Sequence, residues 1–255
     1  MKILITNDDG VYASGINILY ETLKDHHQVT VVAPTEEKST TGHSLGGINH
    51  PIRVHQMKEN FYAVSGHPAD CVLMGLGHFC QGRDRPDLVL SGINRGGNLG
   101  QDIYYSGTVA GAREGVFHGV KGMAVSLAIE LGQAKEHYND EYKKTANLVK
   151  ELLAKNILNH LNEMELYNLN TPPLMSYKGI KWATLGHRFY SEDIMERVDS
   201  RNRPYFWTGS SYIDHNKKEA SDCSYIEEGF ATLSKIILGK NVDNPESFNL
   251  DIDLK

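Results

Sequence analysis

The sequence predicts an α/β fold: a doubly wound, mainly parallel sheet of Rossmann-like type with a β-rich C-terminal extension. Three observations predict it. Short apolar, β-branched runs recur through the first half, each closed by turn-forming residues. Stretches of helical length separate them, the alternation that builds parallel sheets through right-handed crossovers. After about Asn168 that rhythm gives way to proline pairs, aromatics and short strands.

The elements follow in order. Lys2–Thr6 is an apolar run ending at Asn7-Asp8-Asp9-Gly10, and Gln28–Ala33 is a second, ending at Pro34. Asp87–Leu90, closed by Ser91-Gly92, is a third, and Gly122–Ala128 a fourth. Runs of this kind suit strands buried on both faces. Helices are expected over about 15–24, 68–79 and 108–117; Pro68 suits a first turn, where its missing N–H would have had no partner. Ile52–Met57 and Phe61–Val64, joined by a short polar link, predict a hairpin or a pair of edge strands. Residues 138 to 158 form a long amphipathic helix whose apolar stripe is Leu148, Val149, Leu152, Leu153 and Ile157, read as packing. Beyond it, strands are expected at Ile180–Leu185, Tyr205–Trp207 and Phe230–Leu238. Residues 1–165 are therefore the core and 166–255 a β-rich extension packed on it.

Composition narrows the function classes. Of 255 residues, 40% are hydrophobic and 23% charged, ordinary for a soluble globular chain, and the formal charge of -6 predicts no bulk attraction to nucleic acid or anionic membrane. Cys71, Cys80 and Cys223 are too few and scattered for a disulfide framework or a zinc knuckle, and the first two sit in an apolar stretch as small buried hydrophobes. The apolar start stops at Asn7, too short for a secretory signal, and no run approaches the roughly 20 apolar residues of a membrane span. The cytoplasm is the expected location.

Four loops carry the candidate chemistry, and the predicted fold sets the three most suggestive at carboxyl ends of parallel strands, where open α/β sheets bind ligands. In Asn7-Asp8-Asp9-Gly10, adjacent carboxylates repel unless a cation neutralises them, and oxygen-only ligands suit a hard ion such as Mg²⁺ or Mn²⁺. An Asp-Gly turn with one Asp as a helix cap explains the same residues equally well. The run Ser91 to Asp102 combines glycines, which let backbone N–H groups approach an anion, with Asn94 and Asn98; a structural glycine loop is its alternative. It matches neither the Walker loop nor the dinucleotide fingerprint. Tyr105-Ser106-Gly107-Thr108 offers hydroxyls and unpaired N–H groups at a helix start, and an ordinary N-cap accounts for it on its own. Glu36–Ser44, with Lys38 and His43, reads alone as a solvated surface loop. The 12 histidines show no HxH or HExxH spacing, so a zinc hydrolase is not expected, and neither is a Ser-His-Asp hydrolase, since no Gly-x-Ser-x-Gly elbow is expected.

Together these loops resemble the SurE family of metal-dependent nucleoside monophosphate phosphatases. The matching pieces are Ile5–Gly10, Val32-Ala33-Pro34 with Ser39, Gly66–Cys71, Ser91 to Thr108, Asn168-Leu169-Asn170 with Pro172, and Leu185–Arg188. The resemblance implies one divalent cation, Mg²⁺ or Mn²⁺, held by Asp8, Asp9, Ser39 and Asn94. It implies a phosphate held by Asn98, Ser106, Gly107 and Thr108, with Asp8 and Asp9 as the catalytic residues. It implies hydrolysis of nucleoside 5′- and 3′-monophosphates by a homodimer or homotetramer that exchanges C-terminal arms. Two departures stand out: His67 where the family has threonine, and Gly229–Ile236 without the family's proline. A metal-dependent glycosyltransferase and a nucleotide sensor without turnover are the rival functions.

Overall fold

The computed structural model describes residues 1–129, 138–174, 176–209 and 211–239. Its elements are β1 (Lys2–Thr6), α1 (Ser14–Leu23), β2 (Gln28–Pro34), β3 (Val54–Lys58), β4 (Phe61–Val64), α2 (Pro68–Met74), β5 (Leu88–Arg95), α3 (Gly107–Phe117), β6 (Lys121–Leu127), α4 (Asn139–Ala154), β7 (Glu165–Thr171), β8 (Ile180–Trp182), β9 (Arg188–Tyr190), β10 (Ile194–Val198), β11 (Pro204–Thr208), β12 (Tyr212–His215), α5 (Asp222–Glu227) and β13 (Ala231–Ile237). Nine strands form one sheet in the order β3-β4-β2-β1-β5-β6-β7-β13-β8. The pairs from β4 through β2, β1, β5 and β6 to β7 are all parallel; β3 closes one edge antiparallel, and β13 runs antiparallel to β7. The α/β prediction holds, and strands from beyond residue 165 extend the same sheet.

The strands are buried on both faces, as their unbroken apolar runs require. Ile3 and Ile5 of β1 point into a cluster with Leu19, Val31, Leu90, Val125, Val149 and Leu153, which packs α1 and α4 on one face. Leu4 points the other way, against Val32, Val72 and Val89, beneath α2. The expected α4 stripe divides: Val149, Leu152 and Leu153 are buried, while Leu148 and Ile157 are partly buried at its margin.

Several elements differ from expectation: the helix expected over 138–158 ends at Ala154, with Ile157 in the 3-10 turn that follows it, and the strand expected over 180–185 stops at Trp182. The strand expected to end at Leu90 continues to Arg95, and Ser91-Gly92 lies inside it. Its register on β6 shifts between Ser91 and Asn94, so a bulge absorbs the glycine and buried Ile93 carries the strand onward. The helix expected over 68–79 is α at first and finishes as a π-helical turn, Gly75–Phe79. The extension contains two separate two-stranded sheets, β10–β11 and β9–β12, in addition to β8 and β13. Residues 240–255 of that extension lie outside the described residues. Among the described residues no helix is long and apolar enough to cross a membrane.

Candidate active site

Strand order locates the site. β1 lies between β2 on one side and β5 on the other, so the winding reverses there and a crevice opens at the carboxyl ends of β1 and β5. Residues 7–10 leave β1 at this crevice, and β5 ends here at Asn94 and Arg95 before residues 96–100 lead on. The loop after β2 returns to it: the Lys38 N–H donates to the Asp8 carbonyl at 2.7 Å.

Asp8 is 4% exposed and Asp9 half-buried. The Thr108 hydroxyl donates to Asp8 Oδ1. Gly107 lies so close that a Cβ there would stand 2.8 Å from Asp8 Cβ and 2.9 Å from Oδ2. The first turn of α3 therefore rests directly on the aspartate, with the positive end of its dipole at the carboxylate. Asp9 Oδ2 accepts the Arg95 N–H at 2.9 Å. Burial raises the Asp8 carboxyl above the usual carboxylate range against the pull of Thr108, and the Glu37 charge adds to the rise. Burial first, then the Asp8 charge, pushes Asp9 up to about 7. Ionising both acids at neutral pH calls for a cation.

The donors around that pair suit a hard cation. The Asn94 Nδ2 donates to the Gly96 carbonyl at 2.7 Å, which leaves Oδ1 as the carboxamide's ligand atom. Ser39 is exposed and donates to Glu37 Oε1 at 2.7 Å, so its oxygen lone pairs remain to coordinate. Beside them, the fully buried Asn7 Oδ1 has no hydrogen-bond partner. Among the described residues no three His, Cys, Asp or Glu side chains converge as a ready-made metal centre. An ion here would take two carboxylates plus a hydroxyl and a carboxamide, an all-oxygen set fitting Mg²⁺ or Mn²⁺.

The other expected residues, Asn98 and Ser106, flank the turn Gly100–Tyr104 that leads into α3. Ser106 is the N-cap of α3, its Oγ accepting the Val109 N–H at 3.0 Å. Asn98 is buried and held at every backbone group. Its N–H donates to Asn170 Oδ1 at 2.9 Å, and its carbonyl accepts from Asn168 and Asn170 at 2.8 and 3.0 Å. Its own Nδ2 donates to Ser126 Oγ at 2.8 Å. The Asn168-Leu169-Asn170 segment thus acts through its side chains on the loop leaving β5.

Comparison with known proteins agrees with this layout. Residues 3–192 match the family described as Survival protein SurE. The chain belongs to the SurE family. It is 37% identical over 241 residues to a Campylobacter lari protein named 5′-nucleotidase SurE, covering 93% of this chain and 92% of that one. A Vibrio cholerae protein of the same name is 39% identical over 238 residues, covering 92% and 91%. The crystal structure of the SurE protein from Aquifex aeolicus superposes with a TM-score of 0.79 at 35% identity, over 94% of this chain and 95% of that one.

Within the SurE frame, the departure at residue 67 is absorbed locally. His67 takes the N-cap position of α2, and its N–H donates to Asp70 Oδ2 at 2.8 Å. The same carboxylate receives the Gly46 and Gly47 N–H groups, each at 2.9 Å. The loop read alone as a solvated surface is in fact fastened to α3. His43 Nε2 lies 2.6 Å from Glu114 Oε2, while the Arg113 Nε–H donates to His43 Nδ1 at 2.9 Å. Because Nδ1 accepts, Nε2 carries the proton and donates to Glu114. Glu114 is also bonded to His118, an exposed histidine 3.0 Å away at the end of the same helix. Sequence reasoning missed this cluster because its partners are 71 residues apart. Gly42-His43-Ser44-Leu45-Gly46 does spell G-x-S-x-G, the hydrolase elbow pattern. No strand or helix flanks it here, Ser44 donates to the Thr41 carbonyl at 2.6 Å, and His43 faces Glu114, so it is no nucleophile elbow.

Proposed function

We propose that this protein is a divalent-metal-dependent phosphatase hydrolysing nucleoside 5′- and 3′-monophosphates to nucleoside and phosphate. The observation that carries the reading is the seating of the first turn of α3 on the Asp8 carboxylate, which puts an anion-binding helix terminus beside a pair of buried acids. A phosphate monoester bridged to a cation needs both. The names of the curated relatives support the substrate class.

In this reading Asp8, Asp9, the Ser39 oxygen and Asn94 Oδ1 hold one Mg²⁺ or Mn²⁺. When bound, the ion polarises the P–O bonds and lowers the pKa of a coordinated water. Asp8 orients the attacking water or takes its proton, and Asp9 mainly holds the ion. Asn98, Ser106 and Gly107 hold the phosphoryl oxygens, with Thr108, expected among them, supporting them from behind. Ser106 accepts at the cap and still has its proton to give. The Thr108 hydroxyl and backbone N–H both bond to Asp8, so Thr108 serves the phosphate by fixing the helix start against the acid and has no free donor of its own to give it. We also place the protein in the cytoplasm as a homodimer or homotetramer joined through its extension. There the hairpin β10–β11 exposes Ile194, Met195, Phe206 and Trp207, more apolar surface than two strands keep in water on their own.

The test is phosphate release from a panel of 5′- and 3′-nucleoside monophosphates with Mn²⁺, Mg²⁺ or EDTA, beside Asp8→Asn. Release is expected with either metal and absent in EDTA and in the variant. No release from folded wild-type protein under any condition would sink the reading, and a covalent aspartyl-phosphate trapped on Asp8 would replace the water step.

A further inference from the structure

The turn that joins Asn98 to Ser106 is built against the extension one residue at a time. This short 3-10 turn, Gly100–Tyr104, has each of its first three residues held by a group from beyond residue 180. The Gly100 N–H donates to Asp222 Oδ2 at 2.9 Å, and Asp222 Oδ1 accepts the Gly186 N–H at 2.7 Å, so one buried carboxylate bridges turn and extension. The Gln101 carboxamide reads the backbone of Arg188 with both atoms, accepting its N–H at 2.8 Å and donating to its carbonyl at 2.6 Å. Asp102 Oδ2 accepts from Arg188 Nη1 at 2.7 Å and from the Tyr190 hydroxyl. Gly100 is left-handed at φ +54, and a Cβ on it would lie 2.9 Å from the Gly186 carbonyl, so turn and extension meet backbone to backbone.

Asp102 leads directly to the phosphate side of the site. Its carbonyl accepts the N–H groups of Tyr105 and Ser106 at 3.0 and 3.1 Å, and Ser106 caps α3. The Arg188 and Asp102 side chains are 13% and 18% exposed, and the guanidinium lies 4.1 Å from the Tyr212 ring centroid. This is a half-buried, doubly anchored pair, outside the class of exposed ion pairs worth little. It does two things: it fixes the turn that presents Asn98 and Ser106, and it cancels a carboxylate that would otherwise repel a phosphate dianion nearby.

We propose that Arg188 is a positioning residue for the phosphate half of the site, acting through Asp102 on the Asn98–Ser106 loop. The extension is thereby part of the active site's framework as well as the source of its exposed hairpin. The inference rests on the phosphate-binding roles given to that loop above.

The test compares wild type, Arg188→Met, Tyr190→Phe and the double variant Asp102→Asn/Arg188→Met. Inorganic phosphate binding in the presence of Mn²⁺ and Mn²⁺ binding alone are measured by calorimetry, and kcat and KM on the nucleotide the wild type turns over best. Arg188→Met is expected to weaken inorganic phosphate binding about tenfold and to lower kcat/KM by on the order of 10- to 100-fold, while Mn²⁺ affinity stays within about twofold. Tyr190→Phe, which removes one hydroxyl, is expected to shift both phosphate quantities about threefold in the same direction. The double variant should bind phosphate better than Arg188→Met, because the unpaired carboxylate is gone. Phosphate affinity and kcat/KM within about twofold of wild type in the folded single variants would overturn the proposal. Should Arg188→Met fail to fold, Tyr190→Phe decides. A wild type that binds inorganic phosphate but releases none from nucleotides defeats the nucleotidase reading alone, and the binding data still judge Arg188. A wild type that binds no phosphate defeats both.

Discussion

Replacing Gly107 by alanine is the sharpest probe of whether α3 and Asp8 form one constellation. Gly107 begins the helix with ordinary helical backbone, so the change imposes no dihedral strain. What it adds is a methyl carbon 2.8 Å from Asp8 Cβ. That neighbour cannot rotate away, because a Cβ is fixed by its own backbone, and Asp8 sits at the end of buried β1. To restore ordinary contact at 3.4 Å the helix start must retreat by about 0.6 Å. The retreat strains both Thr108 hydrogen bonds to Asp8 and displaces the helix start assigned to the phosphate. Misplacement on this scale costs up to about 100-fold in rate when it falls on preorganised donors. Global stability changes little, because overpacking costs about 1–3 kcal/mol while alanine is favoured over glycine within helices by about 1 kcal/mol. Phosphate release kinetics and thermal melting on the same preparation check both parts. The expected result is kcat/KM down by on the order of 100-fold with a melting temperature within about 6 °C of wild type. Turnover within about twofold of wild type would refute the shared constellation, and so would loss of folding with intact specific activity in the folded fraction.

Three further outcomes are expected. Burial and mutual repulsion put Asp9 at about 7 in the folded protein, far above an unfolded aspartate, so its contribution to the stability of metal-free protein is complete below pH 4 and lost as pH rises through 7. Melting curves in EDTA should therefore fall across that window, Mn²⁺ should remove the fall, and Mn²⁺ affinity should rise with pH through it. Ser106→Ala should lower phosphate turnover with Mn²⁺ affinity intact, and should cost about 1 kcal/mol of stability for the lost cap on Val109; weaker Mn²⁺ binding would show the assigned roles to be wrong. Trp207→Glu, on a strand exposed along its length, should shift the sedimentation mass toward monomer, and an unchanged mass would remove the hairpin from the interface.

Much of the fold was legible because buried parallel strands are the simplest pattern a sequence writes. Ile3-Leu4-Ile5 and Leu88-Val89-Leu90 are apolar at every position because each faces two helical layers. What misled was local chemistry overridden by the sheet. Ser91 and Gly92 read as a turn, and pairing to β1 does end at Ser91, yet β6 pairs again at Asn94 and keeps the strand running through a bulge to Arg95. The extension was legible only as a change of rhythm. The antiparallel pairing of β13 with β7, which joins it to the main sheet, links segments over 60 residues apart without periodicity to announce it.

The site divides along the same line. Asp8, Asp9 and the helix-start residues Ser106 to Thr108 are contiguous motifs, so spacing alone could nominate them. What makes them a site is a set of contacts between distant residues: Thr108 on Asp8, Lys38 on the Asp8 carbonyl, Asn170 on both backbone groups of Asn98 and Arg188 on Asp102. Those partners look unremarkable one at a time. Asn168-Leu169-Asn170 and Leu185–Arg188 stand in the sequence as pieces of a family resemblance with no role attached, and only the fold gives them one, an orphan backbone group or an uncompensated carboxylate to answer. The pattern also explains why the polar partners concentrate on the side proposed to hold phosphate. Asp8 and Asp9 ride on the stiff end of a central strand, whereas Asn98 and Ser106 sit in a loop that no strand pairing holds. Without the buried asparagines and the Arg188–Asp102 pair, the entropy of that loop would oppose every phosphate it bound.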